Sequence, residues 1–194
     1  LGHALQDRIS NGALPWPLAP ARECIRATVM GAAQHTVQVS GNTIYRTDEN
    51  LLPRKNLQVL RPPVNLPSDI DSASVAEAIQ KHFRAFDLVE GQAEVALVFR
   101  WDGAPTALRI AAFCHGLIDG LPATVKTGRP IYLVFDHDLA GLAGTILRED
   151  FAIENALLCL DGITLHDFDF IDLGKTLEPS GTVPVTIKSL VFQL

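Results

Sequence analysis

A chain of 194 residues with 47% apolar side chains is long enough to bury the core of one or two domains. Its net charge is −6, from 16 basic and 22 acidic side chains, and the acidic excess in residues 91–194 argues against a nucleic-acid partner, whose phosphates would be repelled. No apolar run reaches the ~18 residues of a membrane span. The three separated cysteines, Cys24, Cys114 and Cys159, are typical of reduced, buried thiols in a cytoplasmic protein.

The first third of the chain contains a strand pattern followed by a hairpin pattern. The apolar run Ile25–Met30 predicts a strand that ends at the small residues Gly31, Ala32 and Ala33. Such residues allow a ligand or another backbone to approach closely, because they carry little or no side chain. The alternation around residues 37–39, followed by Gly41-Asn42, predicts a two-residue hairpin.

The sequence after residue 66 alternates between helix and strand patterns. Ser74 and Glu77 form a capping box that predicts the start of a helix. Apolar runs at 95–101, 131–135 and 157–160 predict buried strands, and helices between them imply parallel pairing. Asp138 is the predicted N-cap of the second of these helices, and Asp161-Gly162 predicts another hairpin that returns through 163–165.

The chain then closes with predicted strands at 168–173 and 183–192. The predicted fold class is therefore α/β, with a mixed sheet flanked by helices. A proline-containing linker at 64–72 predicts a division into residues 1–66 and residues 67–194.

Two polar clusters are candidates for chemistry. The triplet Asp136–Asp138 follows a predicted buried strand, where the ligands of α/β proteins bind. Its carboxylates and imidazole suit metal binding or acid–base catalysis, but Asp138 is already explained as a cap, which favours a structural role. Arg54, Lys55 and Arg61 form a basic cluster that suits phosphate or an acidic partner, and a solvated loop is the favoured interpretation.

Four phrases that follow one another along the chain resemble a known family. They are IRATVMGAAQHTVQVSGNTIY at Ile25–Tyr45, LLPRKNLQVLRP at Leu51–Pro62, FDFIDLGK at Phe168–Lys175 and VPVTIKSLVF at Val183–Phe192. Together they resemble the C-terminal part of the ethanolamine ammonia-lyase reactivating factors, the ethanolamine utilisation protein EutA family. The resemblance extends over nearly the whole chain.

The resemblance implies the C-terminal half of an actin-like ATPase (ribonuclease H-like) fold plus an α/β subdomain. It implies a chaperone-like factor whose full-length form uses ATP/ADP with Mg to release damaged cobalamin from inactivated ethanolamine ammonia-lyase. The expected location is the bacterial cytoplasm, where association with a microcompartment and homo-oligomer formation are left open. Because the chain starts without Met and lacks the Asp-x-Gly-Thr-Thr phosphate loop, we expect a C-terminal piece without catalytic residues that does not hydrolyse ATP alone.

The resemblance also implies a nucleotide contact at Gly31, Ala32, Ala33 and Gln34, where the exposed backbone would meet the adenosine. This stretch has Gly-Ala-Ala where a Gly-Gly pair is common, and a hairpin pattern follows it where a helix is expected. Both departures count against the nucleotide contact, and Gly-Ala-Ala favours an alternative, a non-enzymatic interaction module that has lost nucleotide binding. A small-molecule kinase relative is a third hypothesis, against which the missing catalytic aspartate counts. The Asp-His-Asp triplet does not fit the cobalamin-binding pattern, and neither a cobalamin nor a metal site is indicated.

Overall fold

The computed structural model describes residues 7–9, 11–13, 33–64, 66 and 69–190. The chain divides into two compact units, Leu1–Ala33 and Gln34–Leu194. In the first unit, residues 7–9 are helical, and the predicted strand at 25–30 lies outside the described residues. The second unit contains the sheet and the helices that surround the candidate site.

The described residues of the second unit form a mixed α/β structure. In chain order, the strands and helices are β1 (Ala33–Val39), β2 (Tyr45–Arg46), β3 (Arg54–Leu60), α1 (Ser72–Ala85), β4 (Val95–Phe99), α2 (Ala107–Gly120), α3 (Pro122–Thr127), β5 (Ile131–Phe135), α4 (Ala140–Glu149), β6 (Leu157–Leu160), β7 (Phe170–Leu173) and β8 (Pro184–Leu190). The strands build one eight-stranded sheet in the order β1-β8-β7-β3-β4-β5-β6-β2. None of the described helices is both long enough and apolar enough to cross a membrane.

Four neighbouring strands, β3 to β6, run parallel to one another. Every residue of β4, β5 and β6 is buried, because these strands have a hydrophobic core on each face of the sheet. The parallel pairing predicted for these three strands is confirmed, as is the mixed α/β fold with flanking helices. The predicted division at 66/67 falls between β3 and β4, which are adjacent in the sheet, and it stays a prediction.

The N-cap of helix α1 lies three residues before the predicted capping residue, Ser74. Asp71 is the N-cap, and its carboxylate accepts hydrogen bonds from the N–H groups of Ala73 and Ser74. The hydrogen bond from the Ser74 hydroxyl, followed by the bond from Ala73, lowers the pKa of Asp71. The capping box at Ser74 is therefore wrong, because Asp71 caps the helix three residues earlier and Ser74 lies inside the first turn.

The first predicted hairpin is also wrong. Strands β1 and β2 lie at opposite edges of the sheet, so Gly41-Asn42 does not join paired neighbours. Ser40 instead donates its N–H to the carbonyl of Val183 at 3.0 Å, and Gly41 donates to the carbonyl of Asp161 at 2.8 Å. Two consecutive residues thus bind the start of β8 and the end of β6, and we call Ser40-Gly41 the edge clasp.

The second predicted hairpin is wrong for a related reason. Residues 163–165 form no strand, although they run beside β1. The side-chain oxygen of Gln38 accepts a hydrogen bond from the N–H of Thr164 at 3.2 Å, and the side-chain nitrogen of Gln38 donates to the Thr164 carbonyl at 3.4 Å. A side chain therefore satisfies the backbone groups that a neighbouring strand would have paired.

The sheet curls, and the hydrogen bonds of Gln38 and Gly41 join the region of β1 at one edge to the segment that follows β6 near the other edge. Arg46 in β2 adds a further one, donating to the hydroxyl of Thr176 beyond β7 at 2.8 Å. The curl encloses an inner hydrophobic core, while α1, α2 and α4 cover the outer face of the sheet. The inner core includes Val59, Ala96, Val98, Tyr132, Val134, Leu158, Leu160, Ile163, Leu165, Ile171, Leu173, Val183, Val185 and Ile187.

The outer core contains the buried phenylalanine side chains and the two free thiols of the described residues. Phe99 and Phe113 meet edge to face with ring centroids 4.8 Å apart. Cys114 and Cys159 are free and buried, as the sequence predicts, whereas Cys24 lies outside the described residues. Burial raises the pKa of the Cys114 thiol to about 12, which makes it a poor nucleophile.

Helices α1 and α2 pack closely because α2 has a glycine at their contact. A Cβ atom on Gly116 would lie 2.4 Å from the Ser72 carbonyl oxygen and 2.7 Å from the Val75 Cβ. We predict that Gly116→Ala lowers the free energy of unfolding by about 1–2 kcal/mol, since the steric cost exceeds the helix-propensity gain of about 1 kcal/mol. Urea denaturation of the 194-residue chain measures the change.

Gly141→Ala in α4 is the matched control. The nearest atoms to a Cβ there are the carbonyl oxygen of Thr43 at 3.7 Å and the Thr43 Cβ at 3.8 Å, which are ordinary contacts. This variant gains helix propensity without a clash, so its stability should rise by up to about 1 kcal/mol. Equal shifts for the two variants would contradict the close contact of α1 with α2.

Candidate functional site

A polar crevice of about 380 Å³ opens at the carboxyl ends of β3, β4 and β5. The residue directly after each of these strands is polar: Arg61 follows β3, Arg100 follows β4 and Asp136 follows β5. Because parallel strands end at the same edge of a sheet, the three side chains converge there. This is where ligands bind in open α/β sheets.

The opposite wall of the crevice is the segment 163–166. Ile163 and Leu165 point into the inner core and are buried, whereas Thr164 and His166 are exposed at the crevice. Gln38 holds Thr164 through its backbone, and the carboxylate of Asp169 accepts the N–H of His166 at 2.8 Å. Contacts at both ends of the segment therefore fix this wall.

Asp136 ties the end of β5 to the loop after β4. Its Oδ1 accepts the backbone N–H of Trp101 at 2.9 Å and lies 2.8 Å from Nδ1 of His137. Its own N–H donates to the carbonyl of Phe99 at 3.3 Å. The carboxylate is therefore occupied by a backbone amide and an imidazole, and the His137 ring remains mostly exposed at the crevice.

Arg61 presents a guanidinium to the crevice. Its Nη1 lies 3.4 Å from Nδ1 of His166, and since a guanidinium only donates, this imidazole nitrogen accepts and the proton is on Nε2. The backbone N–H of Arg61 donates to Asp167 Oδ1 at 2.8 Å, and the same oxygen lies 2.8 Å from Nε2 of His82. In the described part of the chain, no carboxylate forms an ion pair with the Arg61 guanidinium.

The second guanidinium, Arg100, is weakly paired. Its Nε lies 3.4 Å from Asp102 Oδ1, and both side chains are more than 60% exposed, so the pair contributes little. The crevice thus contains two arginines against one carboxylate that is already occupied. In a chain of net charge −6, this crevice is suited to an anionic ligand.

A second polar cluster lies at the same edge, after β5 and β6. Asp161 Oδ2 accepts the Thr43 hydroxyl and also the N–H of Ala140, the latter at 3.3 Å. Asp138 Oδ1 contacts the same Thr43 hydroxyl. The two carboxyl groups therefore meet at one hydroxyl, and the two aspartates interact with each other.

The prediction that Asp138 caps α4 is therefore wrong. The N-cap residue of α4 is Leu139, which makes no side-chain cap hydrogen bond, and the first amide of the helix finds Asp161 instead. Burial raises the pKa of Asp161, although the hydrogen bonds from Thr43 and Ala140 oppose the rise. Among the described residues, no group of three or more His, Cys, Asp or Glu side chains is placed to hold a metal ion.

The structure describes only part of the predicted nucleotide contact. Gly31 and Ala32 lie outside the described residues, and Ala33 and Gln34 are the first two residues of β1, at an edge of the sheet. The adenosine contact stays a prediction.

The two predicted polar clusters are both divided by the fold. Asp136 and His137 line the crevice, whereas Asp138 faces Thr43. The predicted basic cluster has Arg54 and Arg61 at opposite ends of β3. Arg54 lies 2.7 Å from a carboxylate oxygen of Glu94, so only Arg61 of that cluster reaches the crevice.

Two residues of the crevice were not identified from the sequence. Arg100 has a recognisable signal, a polar residue directly after a buried strand, and it matches the positions of Arg61 and Asp136 after neighbouring strands. His166 has no such signal, because its place depends on how 163–166 folds back over the sheet.

Comparison with known proteins identifies relatives of one kind. The family model described as ethanolamine utilisation protein EutA matches residues 1–193. The chain is 32% identical over 173 residues to the ethanolamine ammonia-lyase reactivase EutA of Salmonella typhimurium, and 29% identical over 170 residues to that of Escherichia coli. Each alignment covers 88% of this chain and 34% of the relative, so the chain spans about a third of their length. No solved structure matches significantly, and the actin-like assignment stays a prediction.

The raised pKa of Asp161 predicts a pH-dependent stability. Folding raises the pKa of Asp161 above its ordinary value of 3.8, so the folded state binds this proton more tightly than the unfolded state does. The stabilisation that results is complete below pH 3.8 and is lost as the pH rises through the pKa of the folded state. Asparagine does not titrate, so we predict that Asp161→Asn becomes progressively more stable relative to wild type as the pH rises from 3.8 through that window. Urea midpoints measured at a series of pH values test this.

Asp172→Asn provides the control with the opposite sign. Burial alone would raise the pKa of Asp172, but hydrogen bonds from Lys188 at 2.7 Å and from the N–H of Asn56 at 2.8 Å lower it. The stabilisation that the Asp172 carboxylate contributes is present above pH 3.8 and is lost as the pH falls through the pKa of the folded state. If both variants changed with pH in the same direction, the assignment for Asp161 would be wrong.

Proposed function

Since the chain belongs to the ethanolamine utilisation protein EutA family, we propose that it is the C-terminal part of a factor that reactivates ethanolamine ammonia-lyase. The observation that carries the proposal is the family match over residues 1–193, together with two relatives named as reactivases of that enzyme. The chain corresponds to about a third of those relatives, so the activity belongs to the full-length protein.

The proposed reaction is an exchange of cofactor. The full-length factor binds the inactivated lyase, releases damaged cobalamin and leaves the site free for intact cofactor. A factor can shift the conformational equilibrium of the lyase only by the difference between its binding free energies for the two conformations. In this proposal, ATP binding and hydrolysis, with Mg, switch that preference, and the partner is the lyase itself.

The proposed part of this chain in nucleotide binding is the stretch from Gly31 to Gln34. The small side chains of Gly31, Ala32 and Ala33 would leave the backbone open to the adenosine. The competing hypothesis is a module that contacts the lyase without nucleotide, and it is supported by the Gly-Ala-Ala sequence at this position.

A reactivation assay of the full-length protein tests the proposal. Ethanolamine ammonia-lyase inactivated with cyanocobalamin is mixed with the factor and fresh adenosylcobalamin, with and without ATP. Deamination should recover when ATP is present. If a lyase shown to be competent before inactivation does not recover under any of these conditions, the proposed role is wrong.

Ala32→Trp in the full-length protein tests the adenosine contact. A bulky side chain there should block the nucleotide, abolish the ATP-dependent recovery and weaken ADP binding in a calorimetric titration. Leu108→Trp is the control, because Leu108 is 86% exposed on α2. Recovery that needs no ATP, from a factor that binds no ADP, would favour the nucleotide-free module.

A further inference from the structure

We propose that the crevice at the ends of β3, β4 and β5 binds a phosphorylated small molecule, with Arg61 and Arg100 on its phosphate group. The role proposed above gives this crevice no task. Its two arginines come from adjacent parallel strands, so the sheet itself sets the position of their backbones. A site built on strand ends in this way is more rigid than one built on a free loop.

The charge of the crevice favours an anion. Neither guanidinium is neutralised strongly, since Arg61 contacts an imidazole nitrogen and Arg100 meets Asp102 through Nε alone, at 3.4 Å. The terminal nitrogens of Arg100 make no hydrogen bond or ion pair with any of the residues that the structure describes. A guanidinium group with free donors can bind two phosphate oxygens at once through two parallel hydrogen bonds, which an ammonium group cannot do.

The one carboxylate in the crevice does not oppose this assignment. Asp136 accepts the Trp101 N–H at 2.9 Å and holds the His137 imidazole at 2.8 Å. Both contacts are made by the same oxygen, Oδ1, so the carboxylate is held by the loop after β4 and by the neighbouring imidazole. The Arg61 contact places the proton of His166 on Nε2, which leaves that N–H as a further donor for a phosphate oxygen.

The volume of the crevice indicates an organic phosphate. About 380 Å³ lies within the range of small-molecule sites and far exceeds the size of a single phosphate ion. The side chains of Val98, Phe99, Ile163 and Leu165 are buried in the two cores, so the exposed side chains of the crevice are polar. A phosphate on the arginines leaves room there for a short hydroxylated carbon chain.

Calorimetric titration of the full-length protein tests the proposal, with glycerol 3-phosphate as the probe and glycerol as its uncharged counterpart. Glycerol 3-phosphate should bind, glycerol should not, and Arg61→Gln and Arg100→Gln should each weaken the binding at least about tenfold, the cost of losing a charge-assisted hydrogen bond. Arg84→Gln, an exposed arginine on α1, should leave it unchanged.

A second variant keeps the arginines in place. Thr164 is exposed at the crevice and bonds to Gln38 only through its backbone. Thr164→Glu should therefore fold normally and repel the phosphate, while Thr164→Gln should retain binding. The absence of binding by the wild-type protein, or equal affinities in wild type, Arg61→Gln and Thr164→Glu, would overturn the proposal.

A competition titration identifies the source of the phosphate. If the natural ligand is a nucleotide, ADP displaces glycerol 3-phosphate and itself loses affinity in Arg61→Gln. If the natural ligand is a separate phosphate ester, saturating ADP leaves the binding of glycerol 3-phosphate unchanged. Both results support an organophosphate in the crevice, and they differ only in the molecule that supplies it.

Discussion

The edge clasp is the constraint on which the rest of the second unit depends. Ser40 and Gly41 are adjacent in the chain, yet their amides bind Val183 before β8 and Asp161 after β6. Val183 returns the contact by donating its N–H to the Ser40 hydroxyl at 2.9 Å. A Cβ on Gly41 would lie 2.1 Å from the Asp161 carboxylate, so any other residue at this position would displace that carboxylate. Two distant strands are thereby joined, and the sheet has to curl.

The curl creates both the inner core and the crevice. Once β8 and β6 are joined, the inward residues of six strands face one another and exclude water, which provides the main favourable free energy. The segment 163–166 then lies across the carboxyl ends of the parallel strands, with Ile163 and Leu165 buried and Thr164 and His166 at the surface. The position of the proposed phosphate site thus follows from backbone pairing at Asp161, two residues before the segment that forms its wall.

The sequence predicts the parts of this fold that depend on local patterns. Strands β5 and β6 have their predicted bounds, since each is a continuous apolar run buried on both faces. Both predicted hairpins fail because Gly41 and Thr164 find partners more than a hundred residues away in the chain. A local turn signal cannot reveal such a competitor.

The candidate site, like the fold, is only partly predictable from local patterns in the sequence. Asp136 and Arg61 are noticeable in the sequence as polar residues near the ends of strands, but only the register of three parallel strands places them in one crevice. His166 and the coupling of Asp138 to Asp161 depend on chain segments that no periodicity connects. The identity of the ligand depends on that assembled geometry and on the chemistry of two arginines from different strands.

The most direct test of this account is amide hydrogen exchange at the edge clasp, followed by NMR. If the clasp holds the curled sheet together, the amides of Ser40, Gly41 and Val183 should exchange as slowly as that of Leu133 in the central strand β5, because opening them requires global unfolding. Exchange of the clasp amides at the rate of the exposed turn at Gly103, while Leu133 stays protected, would show that the sheet curls without the clasp and would contradict the account.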